Sequence, residues 1–322
     1  MSDMLKTNDQ EFEFNPDAVE SIDQSSVEGG GPSYPIIQWV LGDMKARKYP
    51  NSMEYRGGFF IKSDGKVDGA TLEAAGWTKT SRTFENGTEE EGYWRDATAL
   101  SIISERKRWE VGENGERKSF PWHRQGYEAA KAAAGTGKPR SRAQYLVLIK
   151  GTAETGPLGP FVLTMKGSAG MAFDSSRNDS VLQRFEATVI AAANDKSAAA
   201  AKAAGKAPKK WAYRAFWLPT GSDRNDKGEP VYTTVGSGDK TTNVVLPTAL
   251  GLPDKAINVD LKRFYVGDAI LKQVNTLFDE HVEWRAAWNT QTSAEDVATS
   301  EQTTASAAVR DAEDAALAAT GL

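Results

Sequence analysis

Hydrophobic positions follow two rhythms along this chain: short runs at strand spacing in the first half, then stripes at helical spacing. The run Ile36-Ile37-Gln38-Trp39-Val40, reached through Tyr34-Pro35, predicts an edge strand or docking segment, because proline cannot donate to a strand ladder. Gly57-Gly58-Phe59-Phe60-Ile61-Lys62 predicts a second strand, closed by Ser63-Asp64-Gly65. Residues 71–77 predict one or two helical turns stopped at Gly76. Alternation over 78–84 runs into Glu85-Asn86-Gly87, a hairpin signal, with a partner strand over 91–103. Residues 106–111 predict another strand, 125–134 a short Ala-rich helix and 135–142 a flexible basic loop. Tyr145-Leu146-Val147-Leu148-Ile149 predicts a fully buried strand, and 161–166 returns as its antiparallel mate after the Gly/Pro turn 151–160.

Past residue 180 the period lengthens. Val181, Leu182, Phe185, Val189 and Ile190 predict a helix to about residue 204 that fades into a solvent-exposed Ala/Lys stretch. Residues 211–218 alternate, predicting a strand with Trp211, Tyr213 and Trp217 on one face and Arg214 on the other. Residues 219–243 read as loop, and Leu271, Val274, Leu277, Phe278 and Val282 predict a closing helix over 268–289. There is no internal repeat. This order predicts an α+β fold: an antiparallel β-barrel-like core, closed or half-closed, with an inserted helix and a C-terminal helix. An OB-like barrel, the oligonucleotide-binding type, is one solution.

Charge divides the chain further. Residues 1–31 hold eight acidic residues against one Lys, and residues 290–322 hold six against one Arg. The formal total is −5, so residues 32–289 carry +7 between acidic ends of −7 and −5. Residues 1–33 run through Gly29-Gly30-Gly31-Pro32 near their end and have no apolar period, and residues 290–322 are mostly Ala, Ser, Thr, Asp and Glu without an aromatic. Both ends are expected to be disordered, leaving a single basic, aromatic-rich domain over 34–289. The chain has no Cys, which excludes disulfides and thiolate metal sites. No basic-then-apolar leader and no membrane-length apolar run is present, so a soluble, cytoplasmic protein is expected.

The remaining motifs fall short of catalytic patterns. Gly135-Thr136-Gly137-Lys138 falls short of a phosphate loop, with Ala132 in place of the first Gly and Pro139 in place of Ser or Thr. His123 and His281 stand far apart without ligand-spaced carboxylates, and His281 is expected on the surface of the last helix. Asp223, Asn225 and Lys227 alternate like a calcium loop, but the Lys spoils the site and no bidentate Glu follows. The expectation is a protein that is not an enzyme and holds no cofactor and no metal.

What remains is a mixture of cations and rings. Residues 101–150 carry eleven Lys and Arg against five Glu. Candidate nucleic-acid contacts there are Arg106, Lys107, Arg108, Trp109, Trp122, His123, Arg124, Lys138, Arg140, Arg142 and Tyr145. A second patch adds Lys209, Lys210, Trp211, Tyr213 and Arg214. Cations displace counterions from phosphates, and exposed rings stack on unpaired bases. Trp109 and Trp122, beside basic residues and turns, are the rings expected to be exposed. The expected partner is single-stranded DNA, with replication or recombination proteins reached through the acidic tail. The alternative is a virion or assembly module whose aromatics are core and whose acidic ends keep it in solution.

The segments Tyr34-Pro35-Ile36-Ile37-Gln38-Trp39, Gly57-Gly58-Phe59-Phe60-Ile61 and Ala74-Ala75-Gly76-Trp77 together resemble an uncharacterised domain family of bacterial mobile elements and phages. That resemblance implies a mobile-element setting and carries over no functional residue. The layout, a basic body with an acidic C-terminal tail, is similar to that of phage single-stranded DNA-binding proteins.

Overall fold

Apolar alternation and turn residues build one large sheet in the computed structural model, which describes residues 34–63, 65–83, 89–112, 118–135, 137–174, 179–237 and 240–285. Its strands are β1 (Ile36–Val40), β2 (Gly58–Lys62), β3 (Thr78–Thr83), β4 (Glu89–Arg95), β5 (Ala97–Val111), β6 (Lys118–Pro121), β7 (Arg140–Ile149), β8 (Leu158–Lys166), β9 (Leu218–Ser222) and β12 (Pro247–Ala249), with β10 (Thr233–Ser237) and β11 (Lys240–Val244) forming a separate hairpin. Helices are α1 (Met53–Arg56), α2 (Gly69–Ala74), α3 (Arg124–Ala134), α4 (Gly167–Phe173), α5 (Val181–Phe185), α6 (Ala191–Ala203) and α7 (Asp268–Glu280). A π turn, Glu186–Ile190, joins α5 to α6.

Strand order is β12-β9-β5-β7-β8-β1-β2-β4-β3. The fifteen-residue β5 is the spine: β7 lines one edge, while β9 and β6 share the other at its two ends. The sheet curls, so that β2 lies against β5 and β9 across the interior. The result is a half-barrel in an α+β fold. It is mixed rather than wholly antiparallel, because β1 pairs parallel with β8.

Tyr145 to Ile149 on β7 have no exposed surface, as five consecutive apolar residues in a central strand require. The α5–α6 stripe, Val181, Leu182, Phe185 and Val189, joins this core, as do Leu271 and Val274 of α7. A smaller cluster at the far end of β5 unites Trp109, Val111, Tyr127 and Ala130, with Phe120 and Trp122 packed against it. α3 approaches closely there because residue 126 is Gly; a Cβ would stand 2.0 Å from the Pro121 carbonyl oxygen.

Several expectations are corrected. β1 is an interior strand between β8 and β2, its proline lying just before the ladder. The strand expected over 91–103 breaks at Asp96, and its second half runs on through 106–111 as β5. Residues 211–218 form no strand up to Trp217 but a 3-10 turn, Tyr213–Ala215, because the segment is packed on several sides: Trp211 N–H donates to Asn194 and Arg214 reaches Asn275. Residues 219–243 contain most of β9 and the β10–β11 hairpin rather than loop alone. The Ala/Lys stretch is a true helix whose Ser197 and Ala201 are buried. The acidic segments 1–33 and 290–322 and the turn 84–88 lie outside the described residues.

Candidate nucleic-acid interface

Beyond the bulge between Ile102 and Ser104, β5 alternates strictly against β7, pairing Arg106 with Gln144, Arg108 with Arg142 and Glu110 with Arg140. Paired residues share a sheet face. One face therefore carries Arg106, Arg108, Arg140 and Arg142 together with Glu110 and Gln144. Glu110 accepts hydrogen bonds from Arg108 Nε and Arg142 Nη1, each 2.8 Å. Burial alone would push the Glu110 carboxyl up, but hydrogen bonds and charge from Arg142 and Arg108 outweigh it and hold the group below its usual range. Arg106 donates to Gln144 Oε1 at 2.7 and 3.0 Å and to the Trp284 carbonyl at 2.9 Å, its guanidinium 4.1 Å from the Trp284 ring. Burial, with Arg108 beside it, pushes Arg106 down to about 10, still charged at neutral pH.

The opposite face holds Lys107 and Trp109. Lys107 pairs with Asp174 at 2.7 Å, and Tyr145 OH donates to the same carboxylate at 2.6 Å. Beside this pair is a shallow cleft of about 360 Å³, counting space open to solvent, lined by Trp122, Ser141, Ala143, Met165 and α4. Trp109 is 2% exposed, stacked on Trp122 at 4.0 Å and tilted against Tyr127 at 4.9 Å.

The exposure expected of Trp109 is therefore corrected: its ring completes the cluster beneath α3, because odd positions of this part of β5 face that helix. Trp122 is half-buried. Tyr145, Trp211 and Arg214 are buried as well; Arg214 donates to Asn275 and stacks on Phe278 at 4.1 Å. His123 caps α3, its Nδ1 accepting from Gly126 N–H at 3.0 Å, and burial lowers its pKa. His281, expected on the surface, is buried at the end of α7, hydrogen-bonded to Tyr34 and to the Leu277 carbonyl. Of the candidates, Arg124, Lys138, Arg140, Lys209 and Lys210 are exposed.

The two patches do not merge into one basic surface. Tyr213 donates to Glu186 and is also acted on by Asp174 and Glu105, so carboxylates stand between the patches. Burial first, then Glu186, pushes the Tyr213 phenol far above its ordinary range. Among the described residues no group of three or more His, Asp or Glu is placed to hold a metal ion, and no helix is long and apolar enough to cross a membrane.

Sequence reading missed the acceptors that organise the arginines: Glu110, Gln144 and the Trp284 carbonyl. Period-two alternation of Arg106, Arg108, Glu110 against Arg140, Arg142, Gln144 was the available signal. It also passed over Tyr49 and the cations around it, which lie in a stretch that reads as a polar turn. Comparison with protein families, curated proteins and solved structures finds no match for this chain.

Proposed function

We propose that the protein binds single-stranded DNA and catalyses no reaction, acting in the cytoplasm in replication or recombination of a phage or plasmid. One observation carries this reading: four guanidinium groups share one face of β5 and β7 with a single carboxylate, and Lys138 and Arg140 are exposed where that face begins. Such a face favours a polyanion by counterion release. The curled sheet serves as an OB-like platform, and the mobile-element setting comes from the resemblance of the β1, β2 and α2 segments. A second reading, an assembly module, draws support from the burial of Trp109, Trp211, Trp217 and Trp284. It predicts no affinity for nucleic acid.

Titration with single-stranded and duplex DNA at two salt concentrations separates the readings. Single strands are expected to bind better, and affinity to fall as salt rises. Changing Lys138 and Arg140 together to Ala should lower the slope of log affinity against log salt by about 0.7 per lost phosphate contact. Absence of binding at low salt would leave the assembly module standing.

The acidic tail supplies a further prediction. α7 and the turn that follows it lie beside β5: Asn275 accepts from Arg214, whose carbonyl accepts from Ser101, and the Trp284 carbonyl accepts from Arg106. Deleting residues 290–322 removes a charge of −5. Tighter DNA binding at low salt, with the difference shrinking as salt screens the tail, is expected. Equal affinities at low salt would show that the tail does not compete.

A further inference from the structure

Burial of Trp109, Tyr145 and Trp211 removes three of the five rings on which unpaired bases were expected to stack, and Trp122 and Tyr213 are only half-buried. Stacking asks for an exposed ring, held in place, with cations around it. Among the described residues one aromatic side chain is exposed: Tyr49, at 58%. It follows the 3-10 helix Met44–Lys48, whose Lys45, Arg47 and Lys48 are all exposed. Lys48 Nζ lies 4.9 Å from the Tyr49 ring centroid.

The ring is presented from a tied backbone. Asp43 accepts from Lys45 N–H at 2.8 Å and caps the short helix, and Tyr49 N–H donates to the Ala46 carbonyl at 2.8 Å. Asp43 N–H donates to the Glu54 carbonyl, and Asp43 also bridges to Val244 of the β10–β11 hairpin. A ring carried on backbone tied in this way gives up no backbone entropy when a base stacks on it. Among the described residues these cations make one ion pair, Arg47 to Glu229 at 3.5 Å, both ends well exposed, which a phosphate can displace at small cost.

We infer that Tyr49, with Lys45, Arg47 and Lys48, is a single-strand contact site: a base stacks on the Tyr49 ring while the flanking phosphates lie against the three cations. This inference rests on the single-stranded DNA reading and moves its stacking step from the 101–150 region to the loop after β1. Met44 and Leu41 of the same segment are exposed as well.

The test measures anisotropy of labelled oligothymidine and of an abasic strand of equal length, with wild type, Tyr49→Ala and Tyr49→Phe. Tyr49→Ala should weaken oligothymidine binding by about 5- to 150-fold and leave abasic binding unchanged. Tyr49→Phe, which keeps the ring, should bind like wild type. Wild-type binding with no loss in Tyr49→Ala overturns this site and leaves the proposed function intact, as does an equal loss on the abasic strand. No binding by wild type at low salt overturns both. A Tyr49→Ala variant that changes only the sedimentation of the protein assigns the patch to a protein partner and also overturns the inference.

Discussion

Trp109→Ala is expected to cost about 3–5 kcal/mol of folding stability, the range for removing a large aromatic from a packed core. The ring is 2% exposed and forms the centre of the small cluster that holds α3 to β5 and β6, stacked on Trp122 and packed on Tyr127. Few other side chains build this cluster, so the surroundings have little material with which to refill the space. Denaturant titration reads the loss as a lower midpoint. Binding measured per folded molecule should remain near wild type, because the indole meets protein and not ligand. A variant of unchanged stability with weakened DNA binding would return Trp109 to the interface.

Glu110→Gln is expected to be comparably severe for stability and opposite in sign for binding. Removing one partner of a buried charge group typically costs about 3–5 kcal/mol, because the remaining charges stay desolvated. Here Arg108 and Arg142 both donate to Glu110 Oε1, and the carboxylate side chain is 10% exposed. The amide keeps the shape and loses the charge, leaving the arginine face one unit more positive and better disposed to a polyanion. Acid dependence gives an independent check. The folded-state pKa of Glu110 is depressed, so its stabilisation is present above the ordinary carboxylate value of about 4.3 and fades as pH falls through the lower folded value. The gap between wild type and Glu110→Gln should accordingly narrow in acid. A constant gap across pH, or weaker DNA binding by the folded variant, would remove Glu110 from this role.

Much of the scaffold was legible in residue order. Five apolar residues from Tyr145 to Ile149 have no polar position to turn outward, so a buried central strand was the economical solution, and Gly/Pro residues before Phe161 returned its mate. Alternation over 78–84 and the Asn-Gly signal gave the hairpin, though its partner strand, expected over 91–103, ends at Arg95, and the stripe from Val181 to Ile190 gave a helix. These are local signals, settled by side-chain period and backbone preference over a few residues.

Chemistry at the interface was not local. Charge counting located the basic segment, but alternation cannot say which face of β5 another element will cover. α3, returning from β6, covers the Trp109 face and turns a ring expected outside into core. Arg106 and Arg214, both suited by sequence to phosphate, are instead held by Trp284, Gln144, Asn275 and Phe278, which lie 38 to 178 residues away along the chain. By itself the sequence determined which residues form strands and helices and where positive charge accumulates, because period and composition act at short range. Only the tertiary structure decided which cations are tied down, which rings face solvent and that Tyr49 is the exposed one among the described residues, because burial depends on what long-range packing brings to each face.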